Sequence, residues 1–387
     1  MLPTGHIRGL DGLRALAILW VILWHTETSM GFPESQLGPF LPLVMGGWAG
    51  VDLFFALSGF LITSRLRDEE ASREAAGGAR RFDLARFYLR RALRILPIFY
   101  FVFLLNFLVF GRIFFCRSTL LPAHLAEVPK LAPIAFATFW GNYYMSYFPD
   151  VRPGTAFQVY WSLCVEEHFY LLWPLALVLV RSLRRRLLLA VLVCLAMLAL
   201  RAVVRAWDLE PEMTVHFASH YRMDSILIGA AVALGFRQLA AAPRLRRAAL
   251  AASTVAVVVL MLTAQLSVLP PPTVLGASLG YSLLALSAAL LVAEVAASPS
   301  GPLVRLLEAR PLAAIGGVSY GMYLIHLQMI DFARRLISFF TLTPSLERSW
   351  TCYLLSVALS FAIASLLYRL IERPFLRWKV RLGSGYR

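Results

Sequence analysis

"LDGLRALAILWVILWHT", residues 10–26, is the stretch that decides the fold of this chain. With the residues that follow, it is long and apolar enough to cross a lipid bilayer, which takes about 20 residues. Yet it carries Asp11 and Arg14 at one end and His25 well inside the apolar run. Ionisable groups inside hydrocarbon are costly and usually mark a functional path. The stretch therefore predicts a membrane helix that carries part of a functional site.

The composition of the whole chain supports a membrane protein. Of its 387 residues, 59% are hydrophobic and only 15% are charged, whereas soluble domains have about 25% charged residues. The net charge of +15 comes mainly from arginines in short clusters between apolar stretches, which is typical of topology signals and not of nucleic-acid binding. The four cysteines are scattered without a CxxC pair, so we expect no metal site and no disulfide framework.

Hydropathy predicts an all-α, polytopic membrane bundle of about ten transmembrane helices. The positive-inside rule favours both termini in the cytoplasm, because most of the Lys and Arg residues then lie on the inner side. A further apolar stretch, 131–148, is short and interrupted. If it crossed, the arginine cluster at 181–186 would lie outside, so we expect it to be re-entrant or interfacial. The predicted spans are 13–31, 47–65, 93–111, 161–180, 187–206, 220–236, 248–267, 275–296, 316–339 and 350–371.

The domain organisation follows from these spans. We expect one membrane domain over residues 1–387, whose first helix is not a cleaved signal peptide. Residues 66–92 form the longest cytoplasmic loop, and residues 112–160 form an outer segment that contains the re-entrant stretch. No appended soluble domain is expected.

Ionisable residues are predicted at two depths. Arg14 and His25 are eleven residues apart, so they face nearly the same way and are separated by about 16 Å along the helix. Other ionisable groups reach a depth similar to that of His25, and we expect them to line one polar cavity with it, because histidine needs a carboxylate or carbonyl partner. These residues are Asp52, Glu166, Glu167, Asp224 and His326.

A basic cluster marks the inner side. "FYLRRALRILP" places Arg91 and Arg94 one turn apart at the entry of the third span, with Arg90 beside them. A positive-inside anchor is one interpretation. The other is a clamp for a cytosolic anion, since guanidinium groups match phosphate geometry.

Seven strings, in order and spread over nearly the whole chain, resemble the acyltransferase-3 family of membrane acyltransferases. They are "DGLRALAILWVILWH", "GVDLFFALSGFLIT", "FYLRRALRILP", "WSLCVEEHFYLLWP", "YRMDSILIGAAVA", "SYGMYLIHL" and "IERPF". The resemblance implies ten core helices and transfer of an acyl group, often acetyl, from cytosolic acyl-CoA to hydroxyls of polysaccharides, peptidoglycan, lipids or antibiotics. Many members also have a soluble esterase-like domain. Whether this chain passes its acyl group to a partner protein or acts alone is therefore an open question at this point.

The resemblance also suggests roles for single residues. The family's Arg-X10-His signature falls on Arg14 and His25, and its Arg-X-X-Arg on Arg91 and Arg94. Its Ser-Leu-x-x-Glu-x-x-Phe-Tyr element includes Glu166, and Glu167 occupies the adjacent position.

The resulting expectation is an O-acyltransferase of the bacterial plasma membrane with acyl-CoA as substrate and no bound cofactor. The CoA phosphates dock at Arg90, Arg91 and Arg94, with Arg14 near them. His25 is a general base oriented by Asp52 or Glu167, or it forms an acyl-histidine intermediate.

Further residues are candidates around the reacting groups. Tyr320, Tyr323 and His326 can donate to the oxyanion. Candidate substrate-binding residues are Tyr320, Tyr323, Asp224 and Trp161.

Two other function classes stay open. A transporter or flippase would use the same intramembrane charges as a substrate or proton path. A non-catalytic membrane scaffold would not depend on His25. Release of free CoA from acetyl-CoA in the presence of a hydroxyl acceptor distinguishes the enzyme from both.

Overall fold

The computed structural model describes residues 7–32, 37–77, 82–108, 128–148, 157–263, 266, 271–339 and 345–381. These residues form helices and their connections, without a β-strand. The long helices are α1 (Leu10–Met30), α3 (Gly50–Ala75), α4 (Leu84–Asn106), α7 (Tyr160–Leu179), α8 (Leu183–Ala206), α10 (Ser219–Leu234), α12 (Pro243–Leu262), α13 (Tyr281–Ala297), α16 (Ser319–Ser338) and α17 (Leu346–Leu367).

Short helices connect the long ones. They are α2 (Leu41–Met45), α5 (Val128–Ala137), α6 (Gly141–Tyr147), α9 (Thr214–Phe217), α11 (Phe236–Ala241), α14 (Pro302–Leu307), α15 (Arg310–Gly317) and α18 (Arg373–Arg381). Turns of 3-10 helix flank α2 at Gly38–Phe40 and Gly46–Ala49, and π-helical turns lie at Gly276–Gly280 and Tyr368–Glu372.

The all-α prediction is confirmed, and each predicted span coincides with a long helix. Six helical stretches are long and apolar enough to cross a membrane, which makes the chain a multi-pass membrane protein. Rows of leucine on α8, such as Leu188, Leu192 and Leu195, are more than half exposed, as expected for a lipid-facing helix. The six stretches are Leu41–Ala75, Tyr160–Leu179, Leu183–Ala206, Pro243–Leu262, Gly276–Ala297 and Leu346–Trp378.

Two predicted segments differ in detail from the observed helices. Helix α3 continues through Ala75, so the first part of the predicted loop 66–92 is helical. The stretch 131–148 contains parts of two short helices, separated by a turn in which Phe139 has a φ of 61°. Residues 78–81 of the loop, 112–127 and 149–156 of the outer segment, and both chain ends at 1–6 and 382–387 lie outside the described residues.

Helix α1 lies at the centre of the bundle, where it packs against α3, α15, α16 and α17. Its small and branched residues Ala15, Ala17, Ile18 and Ile22 are fully buried. Close packing extends to its first turn, because a Cβ at Gly316 would lie 1.8 Å from the Asp11 carbonyl oxygen. The helix that carries Arg14 and His25 is therefore held on several sides.

Helices α3 and α10 cross at two glycines. A Cβ at Gly59 would lie 1.9 Å from the Ile226 carbonyl oxygen, and one at Gly229 would lie 2.4 Å from that of Ala56. Small residues at such crossings let helix backbones approach closely in membranes. This close crossing brings the N-terminal end of α3 next to the start of α10.

Four arginines that are almost fully buried are neutralised by carboxylates from other helices. Removal of a charge from water is unfavourable unless it is paired and hydrogen-bonded, and each of these guanidinium groups has a carboxylate oxygen at 2.6–2.8 Å. These ion pairs fix the order of the helices. They are Arg186–Glu70, Arg201–Asp224, Arg222–Asp52 and Arg246–Glu294.

Candidate active site

Two cavities in the described part of the chain concern the predicted site, and the larger of these has a volume of about 560 Å³ and is rich in arginine. Arg14 of α1, Arg65 of α3, and Arg91 and Arg94 of α4 line it. They come together because the arginine ends of these three helices converge on the same side of the bundle. Four guanidinium groups around one cavity form a site suited to a polyanion.

Most of this positive charge has no carboxylate partner. Arg14 pairs with Asp11 one turn earlier, but Arg65, Arg91 and Arg94 form no ion pair with any residue that the structure describes. Arg91 instead lies over the aromatic ring of Tyr170, with its guanidinium carbon 5.4 Å from the ring centre. This arrangement differs from that of the four paired arginines described above, because these side chains keep donors for a ligand.

Glu166 lines the same cavity and is already fixed by hydrogen bonds. Ser58 donates to it at 2.7 Å and Tyr170 at 3.2 Å. A carboxylate among unpaired guanidinium groups lowers their mutual repulsion in the empty site. Glu166 therefore balances part of the arginine charge.

The smaller cavity has a volume of about 120 Å³ and contains the ring of His25 in its wall. This ring packs 4.4 Å from Trp24 and 5.1 Å from His326, measured between ring centres. The imidazole nitrogens of His25 make no hydrogen bond to another described residue, so they are free to meet a bound group. Tryptophans and a second histidine complete the wall: Trp24, Trp48, Trp161 and His216.

The two cavities meet at Val51 and Tyr323, which line both of them. The Tyr323 hydroxyl lies 2.6 Å from Ser162 Oγ and donates to the Val159 carbonyl oxygen at 3.3 Å. The larger cavity, here called the arginine cavity, and the smaller cavity with His25, here called the histidine cavity, are thus neighbours along α1.

His326 is fixed in one tautomer by its surroundings. Its Nδ1 lies 2.8 Å from the Tyr323 carbonyl oxygen, which can only accept, so Nδ1 carries the proton and donates. In the neutral ring Nε2 then has a lone pair, and this atom is buried without a hydrogen-bond partner in the described part of the chain. His326 therefore presents an acceptor, and the nearest histidine ring to it is that of His25.

The candidate residues predicted from the sequence are distributed over several places. Tyr320 lines the larger cavity, Trp161 the smaller one, and Tyr323 both. Glu167 lines neither cavity. Arg90 points away from the arginine cavity, with its guanidinium 3.8 Å from Glu69.

Asp52 and Asp224 do not contact His25. Both oxygens of Asp52 accept from Arg222, at 2.8 and 2.9 Å, and one also accepts from Ser225. The carboxylate of Asp224 accepts from two nitrogens of Arg201, one at each oxygen, at 2.8 and 2.7 Å. The ionisable groups expected in one polar cavity are therefore dispersed: Glu166 lines the larger cavity and His25 the smaller one, Asp52 and Asp224 belong to two separate ion pairs, and Glu167 and His326 line neither cavity.

Two cavity residues were not among the sequence candidates. The sequence indicates Arg65 only as a topology signal, although Ser58, Leu61, Ile62 and Arg65 follow the i, i+3, i+4, i+7 spacing of one helix face, and all four line the larger cavity. His216 lies in a short helix between two spans, where no periodic signal marks it. Its position becomes visible only when α9 is placed against α6 and α10.

Comparisons with known proteins show the family of the chain. A family model described as "Acyltransferase domain" matches residues 7–369. The chain belongs to this acyltransferase family. No solved structure gives a significant match.

Curated bacterial proteins match this acyltransferase over nearly its whole length. YrhL of Bacillus subtilis (strain 168) is 30% identical over 95% of this chain and 55% of its own length. The peptidoglycan O-acetyltransferase OatA of Listeria monocytogenes is 29% identical over 95% of this chain and 56% of its own. The O-acetyltransferase OatA of Staphylococcus aureus is 25% identical over 97% and 58%. The chain thus spans little more than half the length of these relatives.

Proposed function

We propose that this protein is a membrane O-acetyltransferase that moves an acetyl group from acetyl-CoA to a hydroxyl of a carbohydrate. The observation that carries this proposal is the contact between an arginine cavity and a histidine cavity at Val51 and Tyr323. Family membership supports acyl transfer. The names of the relatives support peptidoglycan as the class of acceptor.

The arginine cavity is the proposed donor site. CoA carries phosphates at one end and the thioester at the other, so the phosphates bind Arg65, Arg91 and Arg94 while the pantetheine arm extends along α1. The separation of about 16 Å between Arg14 and His25 suits an extended arm of this kind. The thioester then reaches the histidine cavity at the boundary formed by Tyr323.

In the histidine cavity His25 is the proposed general base. In the proposed reactive state, His326 Nε2 accepts a hydrogen bond from one ring nitrogen of His25, a bond that is not formed in the empty site, and the other nitrogen receives the proton of the acceptor hydroxyl. The hydroxyl oxygen attacks the thioester carbonyl carbon, the carbon–sulfur bond breaks, and the His25 imidazolium returns the proton to the thiolate. The products are free CoA and an acetyl ester.

The proposed topology follows from the same arrangement. Ten helices cross the plasma membrane of a bacterium, both termini are cytoplasmic, and the outer segment contains a re-entrant stretch. The arginine cavity then opens towards cytosolic acyl-CoA. The histidine cavity lies in the outer half of the membrane, nearer to an extracytoplasmic acceptor.

Purified protein in proteoliposomes tests the proposal. Acetyl-CoA is added together with soluble glycan fragments of peptidoglycan. Free CoA is measured with a thiol reagent, and the mass of the glycan is measured by mass spectrometry. We expect acceptor-dependent CoA release and an acetylated glycan. Flux of a solute across the membrane without CoA release from any acyl donor would instead support the transporter.

A further inference from the structure

His216 belongs to the short helix α9 and lines the histidine cavity. Its ring is 3% exposed and lies against Trp161, with 4.4 Å between ring centres. Its Nδ1 is 2.8 Å from the Tyr281 hydroxyl oxygen. Its Nε2 has no hydrogen-bond partner among the described residues, and the side chain lines the same cavity as His25. The cavity therefore holds two imidazoles with free ring nitrogens.

The hydrogen bond to Tyr281 determines which nitrogen of His216 carries the proton. The phenol is fully buried, and its O–H has no acceptor in the described part of the chain other than His216 Nδ1. If Nδ1 donated instead, the phenol hydrogen would be left unsatisfied, which is unfavourable by about 1–3 kcal/mol. The phenol therefore donates to Nδ1, and the neutral ring carries its proton on Nε2.

Tyr281 is itself held in place by a buried ion pair. The guanidinium of Arg222 stacks on its ring, with 3.9 Å from the guanidinium carbon to the ring centre. Asp52 binds the same guanidinium through both oxygens, and Ser225 donates to Asp52 at 2.8 Å. A connected series thus runs from Asp52 through Arg222 and Tyr281 to His216.

We propose that His216 donates an N–H hydrogen bond to the carbonyl oxygen of the acyl group during transfer, an inference that rests on the proposed function. As the hydroxyl oxygen adds to the thioester carbon, negative charge develops on that oxygen, and a donor fixed in advance stabilises it. His216 keeps its proton throughout. The proton of the acceptor hydroxyl passes to His25 and then to the leaving thiolate.

His326, which packs against His25, and His216, which lines the same cavity as His25, have opposite tautomers under this proposal. His326 donates through Nδ1 to a carbonyl and presents an acceptor, whereas His216 accepts at Nδ1 from a phenol and presents a donor. A neutral histidine that acts as an electrophile is known chemistry for polarised carbonyls. Asp52, Arg222 and Tyr281 are then positioning residues that act through His216.

The test compares three variants for kcat and for the KM of acetyl-CoA in the CoA-release assay. His216→Ala lowers kcat about 100-fold, the effect of removing one oxyanion donor, with KM unchanged. His216→Gln, whose amide also donates, recovers at least part of that loss. His220→Ala is the matched control, because the His220 ring contacts Tyr143 and lines neither cavity. We expect this variant to keep the wild-type kcat.

Tyr281→Phe tests the tautomer and also decides the matter if His216→Ala does not fold. We expect a lower kcat at unchanged KM. In 15N spectra of histidine-labelled protein, the ring signal that is lost in His216→Gln should show an unprotonated Nδ1 and a protonated Nε2, and this pattern should change in Tyr281→Phe.

Two results overturn the inference. One is a kcat of His216→Ala within a few-fold of wild type while His25→Ala is inactive, and the other is a protonated Nδ1 in the wild-type spectrum. A wild-type protein that releases no CoA contradicts the proposed function itself, so the two failures are distinguishable.

Discussion

The larger cavity is lined by four guanidinium groups, of which those of Arg65, Arg91 and Arg94 have no carboxylate partner in the described part of the chain, whereas the smaller one is lined by imidazoles and aromatic rings. The first presents many charged donors around a volume of about 560 Å³, and the second presents few polar atoms in about 120 Å³. The volume of the smaller cavity is less than a quarter of that of the larger one. One cavity suits recognition of a large anion, and the other suits a reacting group.

Because the two cavities differ in this way, substitutions in them should affect different kinetic constants, KM or kcat. Contacts made equally in the ground state and the transition state change KM, whereas contacts made only in the transition state change kcat. Substitutions at the arginine cavity should therefore act mainly on the KM of acetyl-CoA. Substitutions at the histidine cavity should act mainly on kcat.

His25→Ala should have the largest effect. Loss of a general base lowers the rate by about 100- to 10,000-fold, so we expect kcat for CoA release to fall by at least about 1,000-fold, with acetyl-CoA binding retained. Single-turnover assays and equilibrium binding of acetyl-CoA measure the two quantities separately. His220→Ala is the control. Full activity of His25→Ala would remove the base from the mechanism and would support a scaffold or a transporter.

Glu70→Leu should affect stability without affecting either constant. Glu70 binds the guanidinium of the buried Arg186 through both oxygens at 2.7 Å, and neither residue lines a cavity. Removal of one partner of a buried pair leaves a bare charge and destabilises by about 3–5 kcal/mol. We expect a lower Tm in detergent, measured by thermal unfolding, and wild-type kcat and KM for the folded fraction.

The same substitution type at Asp52 sharpens this comparison. Asp52→Leu also leaves a buried arginine unpaired, so a similar loss of Tm is expected. In addition, kcat should fall because the support of His216 is lost. Equal kinetic behaviour of folded Glu70→Leu and Asp52→Leu would show that the two ion pairs are alike and only structural.

Arg91→Ala and Arg94→Ala should each raise the KM of acetyl-CoA. A hydrogen bond to a charged group contributes about 1.5–3 kcal/mol, and about 1.4 kcal/mol corresponds to tenfold in affinity. We therefore expect KM to rise at least tenfold in each variant, with kcat changed little. The measurement is the dependence of CoA release on acetyl-CoA concentration.

Arg90→Ala is the matched control for both arginines, because it removes the same charge from the neighbouring position outside the cavity. Its KM should stay close to the wild-type value. An equal rise of KM in Arg90→Ala and Arg91→Ala would mean that general positive charge at this end of the helix, and not a formed site, attracts the donor.

The sequence predicts the helices well and the partners of buried charges poorly. Apolar runs mark membrane helices because each helix satisfies its own backbone hydrogen bonds, so each of the ten predicted spans has its helix. From the sequence, Asp52 and Glu167 are equally suited to orient His25. Its observed partner, Arg222, is 170 residues away, and the pairing depends on the close crossing at Gly59 and Gly229.

The candidate site divides in the same way. Arg14, His25, Arg91 and Arg94 were marked by position on a helix and do line the two cavities. His216 was not marked, because a histidine in a short connecting helix has no pattern that shows which cavity it faces. Its tautomer depends on Tyr281, on a different helix. Tertiary contacts of this kind cannot be derived from local spacing.

Tyr323→Phe should have the smallest measurable effect, and it tests whether the two cavities are coupled. The Tyr323 hydroxyl lies at their boundary, 2.6 Å from Ser162 Oγ, and one such hydrogen bond contributes about 1 kcal/mol. We expect kcat/KM to fall about fivefold by the same estimate, because the boundary becomes less well fixed for the thioester. Tyr320→Phe is the control: its hydroxyl lies 3.5 Å from the Ile95 carbonyl oxygen and lines only the larger cavity, so its kcat/KM should stay near wild type. If Tyr320→Phe had the larger effect, the path from the arginines to His25 would not pass Tyr323.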